Sequence, residues 1–227
     1  MKICGLQKLT LLDFPEHTAC TVFTSGCNMR CPFCHNASLA EGRGDVLDYG
    51  EVMAFLKKRR GLLDGVAITG GEPLLQADLV EFIKELRGMG YAVKLDTNGS
   101  LPQRLKPLLD AGLLDYVAMD IKNTPEEYEK ASGCFSDFGK IAESMALLRQ
   151  STTPYEFRTT VVKGIHTADS LKGIASILQE GDRWFLQQYV DSGDILGEGT
   201  DAFSPEEMRT LRTCVAAVFP SVQLRGL

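Results

Sequence analysis

Ala19-Cys20-Thr21-Val22-Phe23-Thr24-Ser25-Gly26-Cys27-Asn28-Met29-Arg30-Cys31-Pro32-Phe33-Cys34-His35-Asn36 decides how this chain is read. Residues 19–24 are β-branched and aromatic and read as a strand. Ser25-Gly26 breaks it. Three cysteines, 27, 31 and 34, then follow with three and two residues between them. The thiols thus fall on a tight loop at the carboxyl end of a strand, where α/β folds place their chemistry.

Three thiolates suit more than one metal. A structural zinc site wants four protein ligands, and zinc-ribbon spacing requires a second Cys pair. Cys4, Cys20, Cys134 and Cys214 are isolated singletons. A four-iron cube also wants four ligands, so three cysteines leave one iron open to a substrate. Two blander readings use the same residues. Cys31-Pro32-Phe33-Cys34-His35 matches the c-type haem string, and Cys31 with Cys34 resembles a thioredoxin-type redox pair. Haem attachment normally follows export, and no signal-like apolar region follows Met1-Lys2-Ile3-Cys4. A redox pair has no use for Cys27.

Working outward, strand and helix signals alternate. Segments near 19–24, 64–69, 91–96, 115–120, 155–162 and 183–189 read as strands, and 222–224 as a terminal edge strand. Segments near 48–60, 76–88, 102–112, 136–150, 168–179 and 204–216 read as helices, with starts at Asp48 and Ser204-Pro205. Six βα units call for parallel strands with right-handed crossovers. A closed eight-stranded barrel takes about 250 residues. The 227 residues here point instead to a single-domain α/β fold, a partial (β/α)6 TIM-like barrel over 19–227, after a β-rich lead-in over 1–18. The segment 192–199, rich in Gly and acid, reads as a loop.

Apolar residues make up 44% of the chain, enough for a substantial core, and net charge is −6. No basic run is expected, and nucleic acid is not an expected partner. No apolar stretch approaches the roughly 18–20 residues that span a bilayer. An odd number of cysteines, seven, suits a reducing compartment, so a cytoplasmic protein is expected. Cys20 and Cys214 fall in a strand and a helix and read as core residues.

The cysteine triad resembles that of the radical S-adenosylmethionine superfamily. His35-Asn36 after the third cysteine resembles the glycyl-radical-enzyme activases. Gly5-Leu6-Gln7-Lys8-Leu9-Thr10-Leu11-Leu12-Asp13-Phe14-Pro15 is similar to the opening of activating proteins for anaerobic ribonucleoside-triphosphate reductase, of the pyruvate formate-lyase-activase-like type. Two departures stand out: Glu16-His17 follows Pro15 where such proteins often have Gly, and 188–193 matches them only loosely.

The resemblance implies that Cys27, Cys31 and Cys34 hold a [4Fe-4S] cluster whose open iron binds S-adenosylmethionine. Reductive cleavage there gives methionine and a 5′-deoxyadenosyl radical, which takes hydrogen from a glycine of a partner enzyme. That partner is expected to be an anaerobic ribonucleotide reductase, with flavodoxin or ferredoxin as electron donor. Another glycyl radical enzyme or a small molecule such as a pterin is the alternative substrate, and a zinc-binding interaction module the non-enzyme alternative.

Further site residues follow at later strand ends. Gly70-Gly71-Glu72 resembles the GGE motif that contacts the methionine amino group; a plain strand-to-helix turn explains the same glycines. Asp96 and Thr97 face the cofactor pocket in the functional reading and form an Asx turn in the bland one. Asp120 and Lys122 alternate onto one face and resemble the D-x-K element of activases. The resemblance also implies a cation near Asp96 and Asp120. Arg158, inside a strand, needs an anionic partner if buried, and the methionine carboxylate is one candidate; an outward-facing Arg is the alternative. Phe33 is a cover for adenine or cluster, and His35 and Asn36 complete the cofactor-binding set. His166 is a lone loop histidine, expected to be solvated.

Overall fold

The computed structural model describes residues 1–227 except Ser136, Ser192 and Glu198. In chain order the elements are β1 (Ile3–Thr10), β2 (Ala19–Thr24), α1 (Ala37–Ala40), α2 (Tyr49–Arg59), β3 (Gly65–Gly70), a 3-10 turn (Pro73–Leu75), α3 (Leu79–Gly88), β4 (Ala92–Thr97), α4 (Pro102–Asp110), β5 (Tyr116–Asp120), α5 (Tyr128–Ser132), α6 (Phe138–Gln150), β6 (Tyr155–Lys163), α7 (Ala168–Ile177), β7 (Trp184–Gln188), β8 (Asp201–Ala202), α8 (Pro205–Ala216) and β9 (Gln223–Arg225). The sheet runs β1-β2-β3-β4-β5-β6-β7-β9, with β8 on β6. β2 through β7 and β9 are parallel, and β1 is antiparallel to β2. Among the described residues no ladder joins β9 to β1, so the barrel stays open.

Period-2 alternation sorts each strand into two faces. Val66 and Ile68, Val93 and Leu95, Val117 and Met119 are buried beneath the helices. Burial of each such side chain contributes about 1.5–3 kcal/mol. The opposite face lines the barrel and carries Thr21, Thr69, Lys94, Asp96, Asp120 and Arg158. A barrel lumen filled with ionisable groups has no packing purpose, so this face is where function is sought.

Helix starts follow their side chains. Asp48 accepts the Glu51 N–H, and Ser204 with Glu207 forms a reciprocal capping box before Pro205. Cys20 is fully buried and Cys214 half-buried. Of the Gly/acid-rich segment 192–199, Ser192 and Glu198 lie outside the described residues.

Two local features differ from expectation. Lys57-Lys58-Arg59-Arg60, exposed at the end of α2, is a basic run of four where none was expected. Glu16 has φ of 63°, the only non-glycine among the described residues in the left-handed region. Glycine adopts that conformation without strain; at Glu16 the turn carries a bond from the His17 N–H to Phe14 O at 3.2 Å.

Candidate active site

One cleft of about 440 Å³ opens at the carboxyl ends of the parallel strands. Cys27, Cys31, Phe33, Cys34, His35, Asn36, Gly70, Gly71, Asp96, Thr97, Asp120, Lys122 and Arg158 all line it. Of the expected site residues only Glu72 does not.

The cysteine loop is held by backbone. The Gly26 N–H bonds Leu39 O at 2.7 Å and the Cys27 N–H bonds Ala40 O at 3.0 Å, so the loop closes onto α1. The Arg30 N–H bonds Ser132 O at 2.7 Å, tying it to α5. The Cys34 N–H bonds Cys31 O at 3.0 Å, which turns both thiols to one side. Cys31 is buried; burial pushes its thiol up to about 12 and that of Cys27 to about 11, with Lys122 pulling both the other way. A thiophilic metal that displaces these protons is the ligand such a loop suits. Phe33 lines the cleft and meets the His166 ring edge-on, centroids 6.2 Å apart. Burial, with Lys122 beside it, lowers the His35 pKa.

The paired glycines answer to the protein's own crowding. A Cβ on Gly70, whose φ is 112°, would stand 2.4 Å from Thr24 N and O. One on Gly71 would stand 2.0 Å from Gly26 O. Both residues therefore let the end of β3 pass against the start of the cysteine loop, and they face the cleft as well.

Glu72 turns inward. It is fully buried and its carboxylate accepts from Leu74 N–H at 3.0 Å, Thr97 Oγ1 at 2.9 Å and Asn98 N–H at 2.7 Å. Burial raises its pKa to about 7, with the Asn98 and Leu74 N–H groups opposing. Glu72 thus ties the ends of β3 and β4 together. Glu72→Gln turns one carboxylate oxygen into an NH2, which then meets the Asn98 N–H, or the Leu74 N–H and the Thr97 hydroxyl, donor against donor. We expect a loss of about 2 kcal/mol, a fall in melting temperature of roughly 4–8 °C, readable by circular dichroism without any cofactor. An unchanged melting temperature would return Glu72 to a ligand-facing role.

Asp96, Asp120 and Arg158 come from neighbouring strands and meet in the lumen. Arg158 donates through Nη1 to Asp96 at 3.2 Å and through Nε to Asp120 at 3.0 Å. Lys94 pairs with Asp96, and Lys122 Nζ donates to Asp120 at 2.9 Å. Burial works to raise the Asp120 pKa, but Arg158 and Lys122 reverse this and hold it well below the usual carboxylate range. Of the five groups Lys94 is buried and the other four are part-buried, and together they carry three cations against two carboxylates. Lys122 and Arg158 face the same cleft as the thiols together with Asp13, Asp96 and Asp120, while Lys94 does not line it. The metal cation expected near Asp96 and Asp120 finds no support, since three side-chain cations already meet those carboxylates. The outward alternative for Arg158 fails: its side chain is only 15% exposed.

Two residues were under-read. Asn98 lines the cleft; its Nδ2 reaches Asn28 Oδ1 at 3.0 Å and Cys27 Sγ at 3.8 Å, while its Oδ1 takes the Ser100 N–H of an Asx turn. Sequence supplied only the turn signal. His166, expected in solvent, is 3% exposed. Both of its ring nitrogens are occupied by backbone partners.

Residues 21–172 match the radical SAM superfamily. The chain belongs to that superfamily, whose members bind a [4Fe-4S] cluster and S-adenosylmethionine, and it is a radical SAM enzyme. Within it, the chain is 32% identical over 195 residues to a candidate glycyl-radical enzyme activating enzyme of Methanocaldococcus jannaschii, covering 82% of this chain and 79% of that one. It is also 32% identical over 162 residues to a candidate GTP 3',8-cyclase of Pyrobaculum aerophilum, covering 69% of this chain but 52% of the cyclase. Among solved structures, Streptococcus suis SuiB bound to its precursor peptide SuiA superposes with a TM-score of 0.73 at 14% identity, over 91% of this chain and 48% of SuiB. At that identity the likeness shows the fold alone. Among the described residues no helix is long and apolar enough to cross a membrane.

Proposed function

We propose that this protein installs a glycyl radical on a partner enzyme, an anaerobic ribonucleoside-triphosphate reductase, using S-adenosylmethionine. The observation that carries the reading is the shared cleft: three thiols on one wall and a part-buried network of paired charges, Asp96, Asp120, Lys122 and Arg158, on the other. In this reading Cys27, Cys31 and Cys34 hold the [4Fe-4S] cluster and leave one iron for the cofactor. When bound and reduced, such a cluster would supply the electron for reductive cleavage of S-adenosylmethionine. Gly70 and Gly71 offer backbone to the methionine end. Lys122 and Arg158, with Asp96, Thr97 and Asp120, form the polar wall that faces the methionine end. Phe33, His35 and Asn36 shape the wall beside the cysteines and keep water from it. Electrons come from a flavodoxin or ferredoxin.

A protein substrate is favoured over a nucleotide by charge. The lysine and arginine lining the cleft, Lys122 and Arg158, are both committed to carboxylates, and a nucleoside triphosphate brings about four negative charges. A neutral peptide loop makes no such demand. The extent of the M. jannaschii match and the similar opening around Asp13-Phe14-Pro15 support the same choice.

The test is anaerobic. Protein reconstituted with iron and sulfide and reduced with dithionite is mixed with S-adenosylmethionine and the candidate reductase. We expect 5′-deoxyadenosine by chromatography and a glycyl radical signal by electron paramagnetic resonance. Deoxyadenosine without the radical would move the substrate to another partner or to a small molecule. Colourless protein that instead binds one zinc per chain would overturn the reading.

A further inference from the structure

β5 ends at Asp120, and the chain then leaves the sheet while still carrying Lys122 into the cleft. Three pegs from β6 and its turn hold this departing backbone. The Ile121 N–H bonds Arg158 O at 2.8 Å. Ile121 O accepts from Thr159 Oγ1 at 2.8 Å, itself bonded by Trp184 Nε1 at 3.1 Å. The third peg is His166. Its Nδ1 accepts the Val162 N–H at 3.1 Å, so the ring proton sits on Nε2, 2.7 Å from Lys122 O.

The same ring packs edge-on against Phe33 of the cysteine loop. His166 therefore touches both walls of the cleft: the loop that carries the thiols and the backbone that carries the lysine. Burial keeps the imidazole neutral, with its pKa near 4, so the tautomer that serves both partners persists at neutral pH. A solvated loop histidine would show neither the burial nor two backbone partners.

We propose that His166 is a positioning residue for the S-adenosylmethionine site: its Nε2–H fixes the Lys122 carbonyl, and so the direction of the Lys122 ammonium toward Asp120 and the cofactor, while its ring braces Phe33. The inference rests on the site reading above. Removing the partner that orients a metal ligand costs about 10–100-fold in affinity or activity, and a loss at the lower end of that range is expected for a partner that orients Lys122.

Two variants separate the contributions. His166→Phe keeps a ring against Phe33 and deletes both hydrogen bonds. His166→Gln loses the ring but keeps an N–H at the reach of Nε2. Each is reconstituted, its iron is counted, and S-adenosylmethionine affinity is measured by calorimetry, alongside the change that the cofactor makes in the paramagnetic spectrum of the reduced cluster. We expect iron content at the wild-type level in both. Affinity should fall about tenfold in His166→Phe and return most of the way in His166→Gln. In a Lys122→Met background, His166→Phe should cost nothing further.

Wild-type affinity in His166→Phe overturns the inference, as does a His166→Gln no better than His166→Phe. So does a full His166→Phe penalty in the Lys122→Met background. If one variant does not fold, the other is compared with wild type by the same affinity and spectral measurements: wild-type binding by His166→Phe, or a tenfold loss in His166→Gln, overturns the inference. Wild-type protein with a full cluster that does not bind S-adenosylmethionine removes the site reading and this inference together. Wild-type binding with unaffected variants removes this inference alone.

Discussion

Cys31→Ala should give a folded, colourless protein that no longer cleaves S-adenosylmethionine. Cys31 is the middle cysteine of the loop and is only 7% exposed. Its loss leaves two thiols, too few to hold a four-iron cube. Iron after reconstitution should drop to background, and deoxyadenosine with it. Stability should change little, because the loop is held by the Gly26, Cys27 and Arg30 backbone bonds and not by the thiol. Two controls sharpen the result. Cys20, buried under the helices, should tolerate Ala with its iron intact. Cys134 is exposed, with its thiol 3.5 Å from Asn28 O, behind the cysteine loop rather than in the cleft. Cys134→Ala should also keep its iron. If it loses the cluster instead, the cube has four protein ligands and no open iron, and the cofactor must bind elsewhere.

The alternation of strands and helices was legible because period-2 and period-3.6 patterns are local. Val66-Ala67-Ile68 and Val117-Ala118-Met119 announce buried strands whatever surrounds them. The cysteine loop was legible because metal spacing is a local pattern too. What sequence could not supply was direction. Glu72 sits in a motif that suggests a ligand, yet its carboxylate points back at Leu74, Thr97 and Asn98, and only the approach of β4 decides that. Asp96, Asp120 and Arg158 lie 24 and 38 residues apart in sequence, and each alone reads as a turn residue or a surface charge. Parallel register brings Asp120 opposite Arg158, and the ion network exists only once the sheet has formed. His166 was misread for the same reason. Its partners are backbone groups, which leave no trace in side-chain composition.

Arg158→Met should be the most damaging single change outside the cysteines. The methionine fills much of the same space, so the loss is electrostatic rather than a cavity. Asp96 and Asp120 would keep Lys94 and Lys122, but lose the one group that spans them both. Breaking a buried ion pair from one side costs about 3–5 kcal/mol, which for a chain of this length lowers the melting temperature by roughly 6–20 °C. Arg158→Lys should recover part of the stability, since a single ammonium restores the charge but not the two-pronged contact. The pH dependence has a definite sign. Asp120 titrates below its unfolded value, so the stability it contributes is present above about pH 3.9 and is lost as pH falls through the carboxylate range. In Arg158→Met the Asp120 pKa moves up, toward the value that burial alone favours. Stability then begins to change at a higher pH than in wild type, because the carboxylate, left with Lys122 as its one cation partner, regains a proton there. Mild acid should therefore narrow the gap between the two proteins. If acid leaves that gap unchanged, the two carboxylates do not depend on Arg158 for their ionisation, and Lys94 and Lys122 alone keep them charged.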